Sequence, residues 1–194
     1  MDKLRRGDLF SLEEYAGRRK AFRENVMRHK QNRQIAIGPN VTLMFEDRLT
    51  IQYQIQEMLR IEKTFEAEGI NEELQVYNPL IPDGCNWKAT MMVEFEDPSE
   101  RAEQLARLVG IENAVWMGLV GEKQVYAIAD EDLERATETK TSAVHFLRFE
   151  LDQTMISRLK QGAGLSAGID HPFYRHAIDP IPEAIRLALL ADLD

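Results

Sequence analysis

Between Gly162 and His176 the chain reads Gly-Ala-Gly-Leu-Ser-Ala-Gly-Ile-Asp-His-Pro-Phe-Tyr-Arg-His, which sets two of its four histidines beside an aspartate, a tyrosine and an arginine. Imidazole, carboxylate, phenol and guanidinium are the groups that ligate metals, move protons or hold anions. The glycines ahead of them permit unusual torsions and close approach. Three chemistries are open to this stretch, read as a loop. His171 and His176, joined by His145 and the Asp170 carboxylate, would suit zinc or ferrous iron. His171 oriented by Asp170, with Tyr174 close by, would suit acid–base catalysis. The commoner use of Asp170-His171-Pro172 is to fix a turn, with Asp170 accepting backbone N–H groups and His171 donating to a carbonyl. The glycine spacing superficially resembles a phosphate loop, but it follows a predicted helix rather than a strand, as a helix C-cap would.

A second set of polar residues lies in the predicted long helix: Gln52, Gln54, Gln56, Glu57 and Arg60. Gln52 and Gln56 are one turn apart, as are Gln56 and Arg60. Two readings are open: a hydrogen-bonding ladder facing a pocket, or a solvated stripe with Glu57 and Arg60 paired. In the first, Gln54, Glu57 and Arg60 would form a pocket with Asp170, His171 and Tyr174, as a small-molecule binder or enzyme requires. The single cysteine, Cys85, forms no internal disulfide and cannot alone hold an iron–sulfur cluster; it reads as a passive thiol. No GxGxxG before a helix, Walker loop, HExxH or GxSxG occurs.

Elements to carry these groups can be read along the chain. Ser11 with Glu14 forms a capping box for a helix over about 11–33. Gln34–Asp47 reads as a hairpin about Gly38-Pro39-Asn40. Asp47 can cap the long central helix and Gly69 end it; its many apolar residues predict contact on two sides. Asn71–Tyr77 reads as a short helix. Strict alternation from Trp87 to Phe95 predicts a strand. Asp97-Pro98 opens a helix, and 114–129 forms a second hairpin about Gly121-Glu122. Asp130–Lys140 reads as a loop or short helix. Val144–Leu151 is a strand with His145, Leu147, Phe149 and Leu151 on one face, and Asp152 caps a helix to about Gln161. The loop then leads to a last helix from Asp179-Pro180, so that residues 162–193 pack as loop plus helix. The fold class is α+β: a mainly antiparallel sheet covered by helices, in a single domain over 1–194.

The 194 residues can bury a core without disulfides. The net charge of −9 is uneven. Residues 1–33 hold ten Lys/Arg against five Asp/Glu, and the remainder fourteen against twenty-eight. The acidic body argues against nucleic-acid binding. The basic front end reads as a solvated helix face or as docking onto an acidic surface, of this protein or of a partner. No secretory signal and no apolar run of membrane-spanning length is seen, so the cytoplasm is the expected compartment. A hairpin edge could support a homodimer.

Several strings resemble one family. These are Leu9-Phe10-Ser11-Leu12-Glu13-Glu14-Tyr15, Ile37-Gly38-Pro39 with Val41-Thr42-Leu43-Met44-Phe45-Glu46, and Tyr53-Gln54-Ile55-Gln56-Glu57-Met58-Leu59-Arg60. Gly168-Ile169-Asp170-His171-Pro172-Phe173-Tyr174 and Leu190-Ala191-Asp192-Leu193 complete the pattern. Together they resemble a family of bacterial proteins of about this length, known only as a domain of unknown function. Its genes are often found beside those for a rubrerythrin-like di-iron protein and an iron–sulfur oxidoreductase. The resemblance therefore implies an accessory role in peroxide defence or electron transfer, exercised through protein–protein contact. It brings no catalytic residue with it.

Overall fold

The computed structural model describes residues 2–122, 124–133, 135–137 and 139–194. The chain opens with α1 (Leu12–Lys30), β1 (Gln34–Ala36), β2 (Val41–Phe45), α2 (Arg48–Glu62) and α3 (Ala67–Tyr77). β3 (Asn86–Val93), α4 (Pro98–Arg107), β4 (Val115–Leu119), β5 (Gln124–Tyr126) and β6 (Ile128–Ala129) follow. It closes with β7 (Val144–Glu150), α5 (Gln153–Lys160), β8 (Leu165–His171), β9 (Tyr174–Ile178) and α6 (Glu183–Leu190). The class is α+β, but the strands divide between two antiparallel sheets, ordered β1-β2-β3-β7-β6 and β5-β4-β8-β9.

Period-two alternation makes the first sheet one-sided, whereas β4 and most of β8 in the second are buried on both faces. Leu43, Phe45, Trp87, Ala89, Met91, Leu147 and Phe149 of the first sheet join Val115, Met117, Leu165, Ala167 and Ile169 of the second in one continuous core. A smaller core, with Ile51, Ile55, Leu59, Leu74 and Ile81, lies under α2 and α3. The helix starts follow their caps: Ser11 with Glu14, Asp47 with Thr50, and Asp97 and Asp152 on their own N-termini. Among the described residues, no helix is long and apolar enough to cross a membrane.

Four sequence expectations are corrected. The long central helix does not reach Gly69: Lys63 turns left-handed at φ 56°, and a separate α3 begins at Ala67, with Gly69 inside it. The N-terminal helix stops at Lys30, which frees Arg33 for a buried role. Most of the glycine-rich loop is strand β8, because Leu165, Ala167 and Ile169 alternate into the core. The last helix starts at Glu183, after a cis Asp179–Pro180 bond. The second hairpin is real, yet its chain continues through buried Ala127 into β6, which pairs with β7 of the other sheet. The described residues of 130–140 form no helix.

Candidate functional site

Gln52, Gln56 and Glu57 of α2 are taken up by other parts of the chain, while Gln54 is exposed. Gln56, fully buried, accepts the Phe10 N–H at 2.6 Å and donates to the Phe10 carbonyl at 3.3 Å. Gln52 donates to the Asp8 carbonyl at 2.6 Å. The amide ladder is thus spent on backbone groups of the segment before α1, which would otherwise lack partners. Glu57 accepts the buried Tyr15 hydroxyl at 2.6 Å and the Arg19 Nε and Nη2 donors at 2.7 and 2.8 Å. Arg60 reaches it from one turn away at 3.4 Å. The Arg19 bonds, and after them the Tyr15 bond, hold the Glu57 carboxyl at about 2, although burial alone would raise it. Its folded value lies below its ordinary 4.5, so this clamp stabilises the protein above that value and is lost as pH falls toward about 2. Glu57→Gln should flatten the acid limb of melting temperature in that window. An unchanged acid limb would contradict the clamp.

The Asp170–Tyr174 stretch is the β8–β9 hairpin, and it fastens backbone. His171 faces the Val109 carbonyl through Nε2 at 3.2 Å, while its Nδ1 accepts the Phe173 N–H at 3.3 Å. Asp170 accepts the Tyr126 hydroxyl at 3.1 Å. Tyr174 donates to the Ile37 carbonyl at 2.8 Å and accepts the Asn40 N–H at 2.9 Å, bracing the β1–β2 turn. The His176 ring packs at a tilt of 58° against Tyr174, with centroids 4.6 Å apart, over Gly38. A Cβ at Gly38 would lie 2.6 Å from the His176 ring, and φ there is +72°. No hydrogen bond or ion pair among the described residues joins this hairpin to Gln54, Glu57 or Arg60. The expected pocket between the two groups therefore has no bonded link.

His145 points into the core with Leu147 and Phe149, as its alternation indicated. Its Nδ1 lies 2.6 Å from Asp130, and its Nε2 lies 2.9 Å from the Thr141 hydroxyl and 3.1 Å from the Ser142 carbonyl. Thr141 in turn donates to Glu112 at 3.2 Å. This Glu112–Thr141–His145–Asp130 chain was invisible to sequence spacing; only the inward register of His145 hinted at it. Among the described residues, no group of three or more His, Cys, Asp and Glu side chains could hold a metal ion. His145, His171 and His176 each keep separate partners.

What remains free is the outer face of α1. Only Tyr15 and Val26 of this helix are buried. Lys20, Arg23 and Arg28 are exposed, and no ion pair engages them among the described residues. Arg19 is committed to Glu57, and Arg18 lies over the Phe10 ring at 5.2 Å. Cys85 offers no reactive alternative. Its bond to Asp83, burial, and then a bond to Glu150 push the thiol up to about 12, so the nucleophilic thiolate is scarce at neutral pH.

These features define an α+β protein of two packed antiparallel sheets that carries a basic helix on an acidic body. The chain belongs to the family described as "Protein of unknown function (DUF3501)", which it matches over residues 3–193. It is similar to a crystallised novel protein of unknown function from Burkholderia pseudomallei K96243, at 51% identity and a TM-score of 0.94 over 100% of both chains. No curated protein matches it.

Proposed function

We propose that the protein is a cytoplasmic accessory component of an iron-linked redox or peroxide-defence system, and that it docks an acidic partner through the outer face of α1. The observation that carries this is the exposed, unpaired set Lys20, Arg23 and Arg28 on a chain that is otherwise strongly acidic. Such charge asymmetry speeds association with a complementary surface and is weakened by salt. One unreactive thiol cannot hold a cluster or cycle electrons, which favours contact over electron carriage. The family resemblance supplies the partner class: an iron–sulfur oxidoreductase or a rubrerythrin-like protein.

The test is the affinity of the full chain for each of those proteins at two salt concentrations. Lys20→Glu/Arg23→Glu/Arg28→Glu should weaken binding by about tenfold or more, a change of at least ~1.4 kcal/mol. Its melting temperature should stay near that of the parent, since these side chains bear on no buried group. Wild-type affinity unmoved by the triple reversal, or no association at micromolar concentrations of both proteins, would remove the proposal.

A further inference from the structure

The outer face of the five-stranded sheet carries a groove of about 310 Å³ under α2 and α3. Its floor is one rung across three strands: Met44 of β2 pairs with Thr90 of β3, which pairs with Phe146 of β7. Ile51 of α2 and Leu80, just past α3, close the apolar walls. Besides Thr50 and Thr90, the polar side chains of Glu46, Gln54, Tyr77 and Lys30 line the groove. Small-molecule sites combine an apolar lining with a few placed polar groups in this way, and this volume lies at the small end of their range.

Glu46 is the group that selects the ligand. Thr50 donates to one of its oxygens at 2.6 Å and Thr90 to the other at 2.8 Å, so the carboxylate is held rigidly at the edge of the floor. His29 is engaged by Asp47, and Arg33 by Asp47 and Asp192, while Lys30 lines the same groove. No ion pair neutralises Glu46 among the described residues. A half-buried carboxylate with fixed geometry and a spare lone pair on each oxygen is a receptor for an N–H cation. Lys30, which also lies 5.9 Å from the Tyr53 ring, contributes a positive group to the same groove.

We propose that this groove binds a small primary ammonium compound with an apolar tail. Glu46 takes the ammonium, and Met44 and Phe146 take the tail. Gln54 and Tyr77 supply further hydrogen bonds. The ligand is a simple amine or an apolar amino acid; in the second case Lys30 also takes its carboxylate. This site is independent of the α1 docking face.

Calorimetric titration of the full chain with phenethylamine, L-phenylalanine and 3-phenylpropionate tests it. Saturable binding is expected for an ammonium compound and not for 3-phenylpropionate. Glu46→Gln, which keeps a side-chain oxygen for one threonine, should weaken binding by about tenfold or more. Gln54→Trp, at an exposed helix position, should fill the groove and abolish binding without changing the circular dichroism, which guards against a Glu46 variant that fails to fold. Lys30→Met should weaken L-phenylalanine alone if the ligand is an amino acid, and neither compound if it is a simple amine. Three results would overturn the proposal: no saturable binding up to about 10 mM of either ammonium compound, equal affinity for 3-phenylpropionate, or wild-type affinity in folded Glu46→Gln and Gln54→Trp.

Discussion

Arg33→Met is expected to lower folding stability by about 3–5 kcal/mol, because it strips the cation from a buried charge cluster. The guanidinium is 3% exposed and donates to the carbonyls of Phe45, Glu46 and Ala188, all at 3.1 Å. It also meets Asp192 at 2.5 Å and Asp47 at 3.3 Å. Methionine fills much of the space but leaves three acceptors and two buried carboxylates with less compensation. Those carboxylates respond differently. Burial alone would raise Asp47, but Arg33, the Thr50 N–H and His29 outweigh it and hold the group below its ordinary range. For Asp192 burial wins over the pull of Arg33 and raises the carboxyl from 3.8 to about 6. A raised carboxyl makes a contribution that is full below 3.8 and is lost as pH rises through about 6. Asp192→Asn should therefore erase a decline in stability across that window and cost far less than Arg33→Met at pH 7. Urea titrations of both variants across that pH range would decide it. An Asp192→Asn cost equal to that of Arg33→Met would show that the ionised pair is the stabilising species.

Gly168→Ala is expected to destabilise by about 1–3 kcal/mol, the cost of overpacking a well-filled site. Gly168 of β8 lies opposite Trp116 of β4, and the indole lies across it. A Cβ there would come 2.3 Å from Trp116 Cζ2 and 2.5 Å from Cε2. A rigid ring at that range must move, and Trp116 is 7% exposed, so moving it uncovers apolar surface. Among the described residues the Trp116 Nε1 has no hydrogen-bond partner, which leaves no polar anchor to resist the shift. Trp87, by contrast, donates to the Leu189 carbonyl at 2.9 Å. The two tryptophans can be separated by emission spectra of Trp87→Phe and its Gly168→Ala derivative. A red shift on adding the alanine is expected, and an unmoved spectrum with parental melting would refute the packing argument.

Most strands and helix starts were legible because each depends on neighbours in sequence. Alternation from Trp87 to Val93 and from His145 to Phe149 gave β3 and β7, and acceptor side chains at Ser11, Asp47, Asp97 and Asp152 gave the caps. Strand β8 was hidden because Ser166, Ala167 and Gly168 have weak strand preference; packing against Trp116 overrides it. The end of α2 was misplaced because Lys63, a non-glycine residue, takes the left-handed turn. The division into two sheets was not legible either, since it turns on Ala127 carrying the chain from one to the other. For the site, Gln54, Glu57 and Arg60 lie on one helix as read, but the Glu57 partners Tyr15 and Arg19 lie on a different segment, as does Phe10, which bonds Gln56, and no helical spacing reveals this. The groove around Glu46 needs three strands in register and was equally out of reach.

The Arg33–Asp192 pair also sets a clock on biosynthesis. Its members are 159 positions apart, and a ribosome adding roughly 5–20 residues per second leaves the arginine waiting on the order of ten to thirty seconds for its carboxylate. Throughout that interval β1 and β2 can pair, yet the positive charge just ahead of β1, against the end of β2, has no anion from the last turn of the chain. The nascent N-terminal third therefore lacks the chain's last carboxylate at a site that is buried in the finished protein, and its sealing becomes a late event of translation.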